Sequence, residues 1–184
     1  MITSDNAKKI LDEADQIFSA PAVSQSVKRI AAEISATLSD QYPLILTVMG
    51  GAVVFTGQLL PLLAFPLNFD YLHVSRYDKK IRGGGLRWRV GPPDDVRNRV
   101  VLVLDDILDE GITLAAIRER IMSQGATAFY SAVLAEKDTG RPKPITADFV
   151  GLTLPDRYAF GFGMDVYGAW RNLPAIYALK EREY

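Results

Sequence analysis

The stretch Val100–Thr113, VVLVLDDILDEGIT, decides how this chain is read. Val100 to Leu104 is an unbroken β-branched and aliphatic run, which predicts a strand buried on both faces of a parallel sheet. Asp105, Asp106 and Asp109 put three carboxylates at that strand's C-terminal end. They repel one another unless something positive sits among them. Gly111 and Thr113 then open a predicted amphipathic helix, Leu114 to Gln124, with Thr113 as N-cap and Gly125 at the C′ position. A helix start offers free N–H groups and a positive dipole end to an anion such as phosphate. The stretch therefore predicts a cation site beside an anion site.

Working outward, Thr127 to Glu136 is the next strand, so strand, helix and strand make a right-handed βαβ unit with parallel neighbours. Lys137 ends the second strand on the same sheet edge as the aspartates, where open α/β sheets bind ligands. Upstream, the strand Leu44 to Met49, the turn Gly50-Gly51-Ala52 and a helix from Val53 to Leu63 form a second strand–glycine–helix unit. Its glycines serve equally well as a tight turn or as a close backbone approach to an anion. Asn68 to Ser75 reads as a strand holding His73. The segment from Arg76 to Arg89 carries six basic residues against one acid, Asp78, with Gly83, Gly84 and Gly85 in the middle. It reads as a hairpin with three possible uses: a charged edge that blocks pairing, a flap over a polyanion, or an RNA-facing patch. Helices are expected at Ala7–Phe18, ended by Pro21, and at Ser24–Leu38, capped by Ser24. Short strands are expected at Phe149–Leu154, Tyr158–Phe162 and Pro174–Lys180.

The totals narrow the chemistry. The 184 residues are 48% hydrophobic and 23% charged, with a formal net charge of −1. These values suit one globular domain and argue against a nucleic-acid binder in bulk. There is no cysteine and one histidine. Thiolate nucleophiles and cysteine-ligated metals are excluded, and a Ser-His-Asp hydrolase would rest on a histidine inside a strand. The remaining tools are carboxylates, lysine, arginine, backbone amides and hard cations such as Mg²⁺. The polar N-terminus and the lack of a transmembrane-length apolar run make a cytoplasmic enzyme with no membrane contact the expectation.

Other sites on an acid-ended strand fit poorly. A Walker B strand needs a partner G-x-x-x-x-G-K-[ST], which is missing, and a Rossmann site needs G-x-G-x-x-G after its first strand. A receiver domain separates its acids from its phosphoacceptor, whereas here acids and loop are contiguous. The whole pattern resembles the diphosphoribosyl-binding motif of type I phosphoribosyltransferases. Lys137 to Arg141, Asp148-Phe149-Val150-Gly151, Pro155-Asp156, Gly163-Met164-Asp165 and Arg171 follow in an order similar to that of the hypoxanthine-guanine branch. The resemblance runs from about Leu44 to Arg171.

That resemblance implies an α/β fold: a three-layer, open, mainly parallel twisted sheet with helices on both faces, plus a small hood lobe. It implies a single domain over 1–184, with a core at about 40–150 and a hood from the N-terminal helices and about 151–184. The implied activity is transfer of the 5-phosphoribosyl group from phosphoribosyl diphosphate (PRPP) to hypoxanthine or guanine, giving IMP or GMP and pyrophosphate. Asp105 and Asp106 would hold the ribose hydroxyls, directly or through Mg²⁺, and Asp165 a second Mg²⁺. Asp109 would be the proton acceptor beside the purine imidazole nitrogen. Asp109, Glu110, Gly111, Ile112 and Thr113 would wrap the 5-phosphate, with the Glu110 side chain turned to solvent. Gly50, Gly51 and Arg171 would receive pyrophosphate. Lys137, Phe149, Val150 and Asp165 would form the purine site, Phe149 by stacking and Lys137 at O6. Ser75, Arg76 and Tyr77 would belong to the flexible loop that closes during reaction. A homodimer or homotetramer is implied. Glu110, Ile112 and Gly50 depart from the residues many relatives carry there. The alternatives are a phosphoribosyltransferase-fold regulator binding a nucleotide or RNA, or a transferase for xanthine or another base.

Overall fold

A computed structural model of the chain describes residues 2–76 and 86–180. The chain begins with helix α1 (Ser4–Glu13), strand β1 (Asp15–Phe18) and helix α2 (Ala20–Leu38). Then come β2 (Leu44–Val48), α3 (Val53–Leu59), β3 (Asn68–Arg76), β4 (Leu86–Val90) and β5 (Val100–Leu108). It continues with α4 (Ile112–Ser123), β6 (Ala128–Lys137), β7 (Phe149–Leu154), β8 (Ala159–Phe160) and β9 (Ile176–Ala178).

The main sheet has six strands in the order β4-β3-β2-β5-β6-β7. All neighbours pair in parallel except β3 with β4. The β-branched run buries both faces of β5, as its sequence requires. Leu102 and Leu104 pack under α2 and α3 with Ile30, Ile34, Phe55 and Leu59. Val101 and Val103 pack under α4 with Leu114, Ile117 and Ile121. Helices thus cover both faces, and the three-layer expectation holds. After β2 the chain steps through α3 to β3 on one side, and β5 lies on β2's other side. The order of strands reverses between β2 and β5, which is where such sheets open a crevice at their C-terminal edge.

The smaller sheet, β1-β9-β8, is antiparallel and forms the hood from both ends of the described chain. Arg157 pins it by donating to the Asp15 carboxylate and to the Leu179 carbonyl. Trp170 Nε1 donates to the Ala7 carbonyl and ties α1 to the hood.

Several expectations change. Helix α1 stops at Glu13, and Ile17 and Phe18 lie in β1. Pro21 does not end a helix; it sits in the first turn of α2, where its missing N–H costs nothing, and Ser19 rather than Ser24 is the N-cap. Helix α2 belongs to the core rather than the hood: Val27, Ile30 and Ile34 pack on the sheet, and Arg29 donates to the carbonyls of Val150 and Gly151. The strand of the decisive stretch runs on through its acids to Leu108. Thr113 lies inside α4, whose N-cap is Gly111 at φ 78°, while Gly125 does take the left-handed conformation, at φ 92°.

Gly163 joins hood to core. Its φ is +104°, and a Cβ there would overlap the Gly51 carbonyl oxygen. Gly163→Ala should therefore lower stability by about 2 kcal/mol or more, from backbone strain together with a displaced Gly51. Urea unfolding of the variant checks this, and an unchanged midpoint would contradict the joint.

Candidate active site

The crevice between β2 and β5 is a cleft of about 490 Å³. Its floor is Asp105 and Asp106, in the last part of β5. One wall is the turn after β2, Met49 to Gly51, and the opposite rim is Asp109, Gly111 and Thr113 at the start of α4. Asp165 and Arg171 from the hood close the third side, and His73, Val74 and Ser75 from β3 approach from the fourth.

The floor is electrostatically unusual. Asp105 is 8% exposed. Burial, then the neighbouring Asp106 charge, raises the Asp105 carboxyl well above the ordinary carboxylate range. Burial also raises Asp106, offset by the Asp105 hydrogen bond and the Arg171 charge. Each carboxylate accepts a backbone N–H from the residue after it, Asp106 N to Asp105 at 2.9 Å and Ile107 N to Asp106 at 3.0 Å. These bonds fix the pair's orientation. Gly51 makes room for it, because a Cβ at that position would overlap the Asp106 carboxylate. The space at Gly51 thus serves the protein's own Asp106, while a Cβ at Gly50 would meet nothing within 4 Å.

The rim is the start of a helix. Gly111 turns the chain in the left-handed region, and its N-cap position carries no side-chain cap on α4. The first turn of this 12-residue helix lines the cleft through Gly111, Thr113 and Leu114, so its positive dipole end lies at the cleft edge. The Glu110 side chain is exposed, as its sequence reading required, and Ile112 is also exposed.

Beside the rim lies the other half of the site. Leu108 of β5 pairs with Glu136 of β6, so the next residues, Asp109 and Lys137, emerge side by side. Lys137 Nζ donates to Asp109 Oδ2 at 3.2 Å. The lysine side chain is 13% exposed and faces an adjoining hollow of about 360 Å³. Across the cleft, Arg171 donates to the Gly163 carbonyl and to the Asp165 carboxylate, which also accepts the Gly168 N–H at 2.8 Å.

Phe149 and Val150 are not brought to this site. Phe149 opens β7 opposite Ala132, whereas Lys137 lies opposite Leu154 at the strand's other end. Five residues of strand, roughly 16 Å, separate the two ends. Phe149 is 7% exposed and packs in the core, and the Val150 carbonyl accepts from Arg29. An aromatic beyond the other end of β7 is Tyr158, which is 51% exposed. Burial, then the Asp165 charge, raises its hydroxyl pKa, and its ring stacks on Tyr167 with centroids 6.4 Å apart. A sequence signal existed: a residue opening a parallel strand lies on the edge away from the site, and one beyond its end lies near it. Tyr77 and the basic residues Lys79, Lys80 and Arg82 fall outside the described residues. Ser75 lines the cleft, and β4 is held beneath by Arg120, stacked 4.6 Å from the Trp88 ring centre.

Fold and cleft together define an α/β protein with an acid-floored cleft at its topological switch point. A family model described as the phosphoribosyl transferase domain matches residues 13–167, and the chain belongs to that family. The hypoxanthine-guanine phosphoribosyltransferase of Bacillus subtilis is 31% identical, over 91% of this chain and 94% of its own. The hypoxanthine-guanine-xanthine phosphoribosyltransferase of Tritrichomonas foetus is 29% identical, over 95% and 97%. A solved hypoxanthine-guanine-xanthine phosphoribosyltransferase, 28% identical, superposes with a TM-score of 0.78 over 92% of this chain and 99% of that one. A hypoxanthine phosphoribosyltransferase from Staphylococcus aureus, at 24% identity and TM-score 0.84, shares the fold. No helix among the described residues is long and apolar enough to cross a membrane.

The raised carboxyl pair has a consequence for stability. The folded state holds its proton more tightly than the unfolded chain does. The pair's contribution is therefore fully present below the unfolded pKa, about 4, and is lost as pH rises through the folded value. Asp105→Asn should stabilise the ligand-free protein by about 1–2 kcal/mol at pH 8 and much less at pH 4. Thermal unfolding at the two pH values checks this. An equal change at both would mean that the pair's charge costs the fold nothing.

Proposed function

We propose that this protein transfers the 5-phosphoribosyl group from PRPP to a 6-oxopurine, hypoxanthine or guanine, giving IMP or GMP and pyrophosphate. The observation that carries the reading is the Lys137–Asp109 contact at the lip of the cleft that holds the acidic pair. It sets an ammonium donor for a purine carbonyl beside a carboxylate that can accept a purine N–H proton. A protein that only bound a nucleotide or RNA would need no proton acceptor there.

The residues divide between the two substrates. Asp105 and Asp106 bind the ribose hydroxyls, and the amides from Asp109 to Thr113 bind the 5-phosphate. The Gly50-Gly51 turn and Arg171 receive the pyrophosphate. Lys137 addresses O6, and Tyr158 takes the stacking role first expected of Phe149. When the bond from ribose C1 to the diphosphate oxygen breaks, its electron pair leaves with pyrophosphate and C1 gains cationic character. The purine nitrogen then bonds to C1, and Asp109 removes the proton that nitrogen or its ring partner carried.

Mg²⁺ fits this donor set. Among the described residues no group of three or more acidic or histidine side chains forms a ready cage. That agrees with an ion held by one or two carboxylates and completed by substrate oxygens. Asp105 and Asp106 would hold one ion, and Asp165 a second in place of its pairing with Arg171. Bound there, Mg²⁺ would neutralise charge on the leaving diphosphate. We further propose that the protein works in the cytoplasm as a homodimer or homotetramer.

Incubation with PRPP, Mg²⁺ and each of hypoxanthine, guanine, xanthine, adenine and uracil tests the reading. Nucleotide should form from the first two. No product from any base would sink it in favour of a binding protein, and product from xanthine alone would move the substrate. Asp109→Asn should cut turnover about 10²-fold while PRPP affinity moves less than about threefold. Tyr158→Ala should raise the purine KM about tenfold, and Phe149→Leu should leave it unchanged.

A further inference from the structure

Lys143 lies in the polar loop between β6 and β7 and has been given no role above. Its side chain is 10% exposed. A lysine ammonium has three protons, and here each has an acceptor: the Lys137 carbonyl at 2.6 Å, the Glu136 carboxylate at 2.9 Å and the Leu108 carbonyl at 3.1 Å. Two of those acceptors are backbone groups of particular residues. Leu108 immediately precedes Asp109, and the Lys137 carbonyl belongs to the residue whose side chain reaches Asp109. Glu136 supplies the counter-charge that lets a buried ammonium persist.

The ends of two parallel strands normally fray, because the ladder stops and their last carbonyls face water. Here one cation bridges both ends, at the point where Asp109 and Lys137 leave β5 and β6. The stem of the same residue packs on the phosphate loop: a Cβ on Gly111 would meet Lys143 Cβ at 3.4 Å. The stem and the ammonium therefore have separable effects, one on the phosphate loop and one on the Asp109–Lys137 pair.

We propose that Lys143 is a positioning residue for the purine half of the site, holding the Asp109–Lys137 pair in register through its charge-assisted bonds to the two strand ends. This rests on the phosphoribosyl-transfer reading for its kinetic test and on the geometry alone for its structural one. Lys143→Met keeps the stem against Gly111 and removes the ammonium. The expected result is a rise of about tenfold or more in the oxopurine KM, with a fall in kcat, while the PRPP KM stays within about threefold. A residue that merely stabilised the fold would lower the unfolding midpoint without splitting the two KM values. Lys143→Arg, which restores charged donors, should recover part of the oxopurine KM.

The crystal structure of the Met variant supplies a readout that needs no activity: the Lys137–Asp109 contact, 3.2 Å here, should open beyond 4 Å. If Lys143→Met does not fold, Lys143→Gln takes both measurements. Unchanged oxopurine kinetics in an active protein, or an unchanged Lys137–Asp109 contact, overturns the proposal. An inactive wild type would sink the transfer reading instead, and the contact distance would still decide the role of Lys143.

Discussion

Two adjacent carboxylates, Asp105 buried and Asp106 half-buried, at the switch point of a parallel sheet are the constraint on which the cleft depends. Asp105 and Asp106 are carried on a strand whose other residues are fully apolar, so the core draws them inward while their chemistry favours water. The surroundings answer this conflict. Backbone N–H groups fix both carboxylates, Arg171 faces Asp106 from the hood, and Gly51 leaves the space they occupy. The hood meets the core at Gly163, again because no side chain fits. Gly51 follows from the acids, and Gly163 from the close approach of the hood to the Gly51 carbonyl. Such a pair is costly in the empty protein and suited to a divalent cation with a polyhydroxylated, phosphorylated sugar.

Strand register then builds the second half of the site without further invention. β5 runs through its acids to Leu108 and pairs with β6 as far as Glu136. The next residue of each strand, Asp109 and Lys137, is thereby delivered to the same edge. A one-residue slip would send Lys137 to the other face of the sheet and separate the pair. Register at a strand end is weakly held by the ladder alone, which gives the buried Lys143 ammonium, bonded to both ends, its importance.

Most of this was legible in the residues because it depends on local pattern. The continuous apolar run, the acids after it, the glycine at the helix start and the βαβ spacing each have one structural meaning, and the layers follow. What was not legible depended on distant contacts. Pro21 marks a helix start instead of an end, because only the packing of α2 on the sheet decides where that helix begins. Residues 15–18 became a strand because β9, from the far end of the chain, pairs with them. Phe149 resembled a stacking residue by its place in a motif, yet parallel pairing puts it on the far edge, whereas Tyr158 follows the other end of β7. Lys143 reads in the sequence as one more charge in a loop. Its three acceptors come from two strands that only the fold assembles.

The most direct test of a two-substrate cleft is an amide NMR titration in two stages. Mg²⁺ with PRPP, added first, should shift Gly50, Gly51, Asp105, Asp106 and the amides from Asp109 to Thr113. A 6-oxopurine analogue that cannot react, added second, should shift Lys137 and Tyr158 and leave Phe149 and Val150 in place. First-stage shifts elsewhere, or second-stage shifts centred on Phe149, would contradict the account.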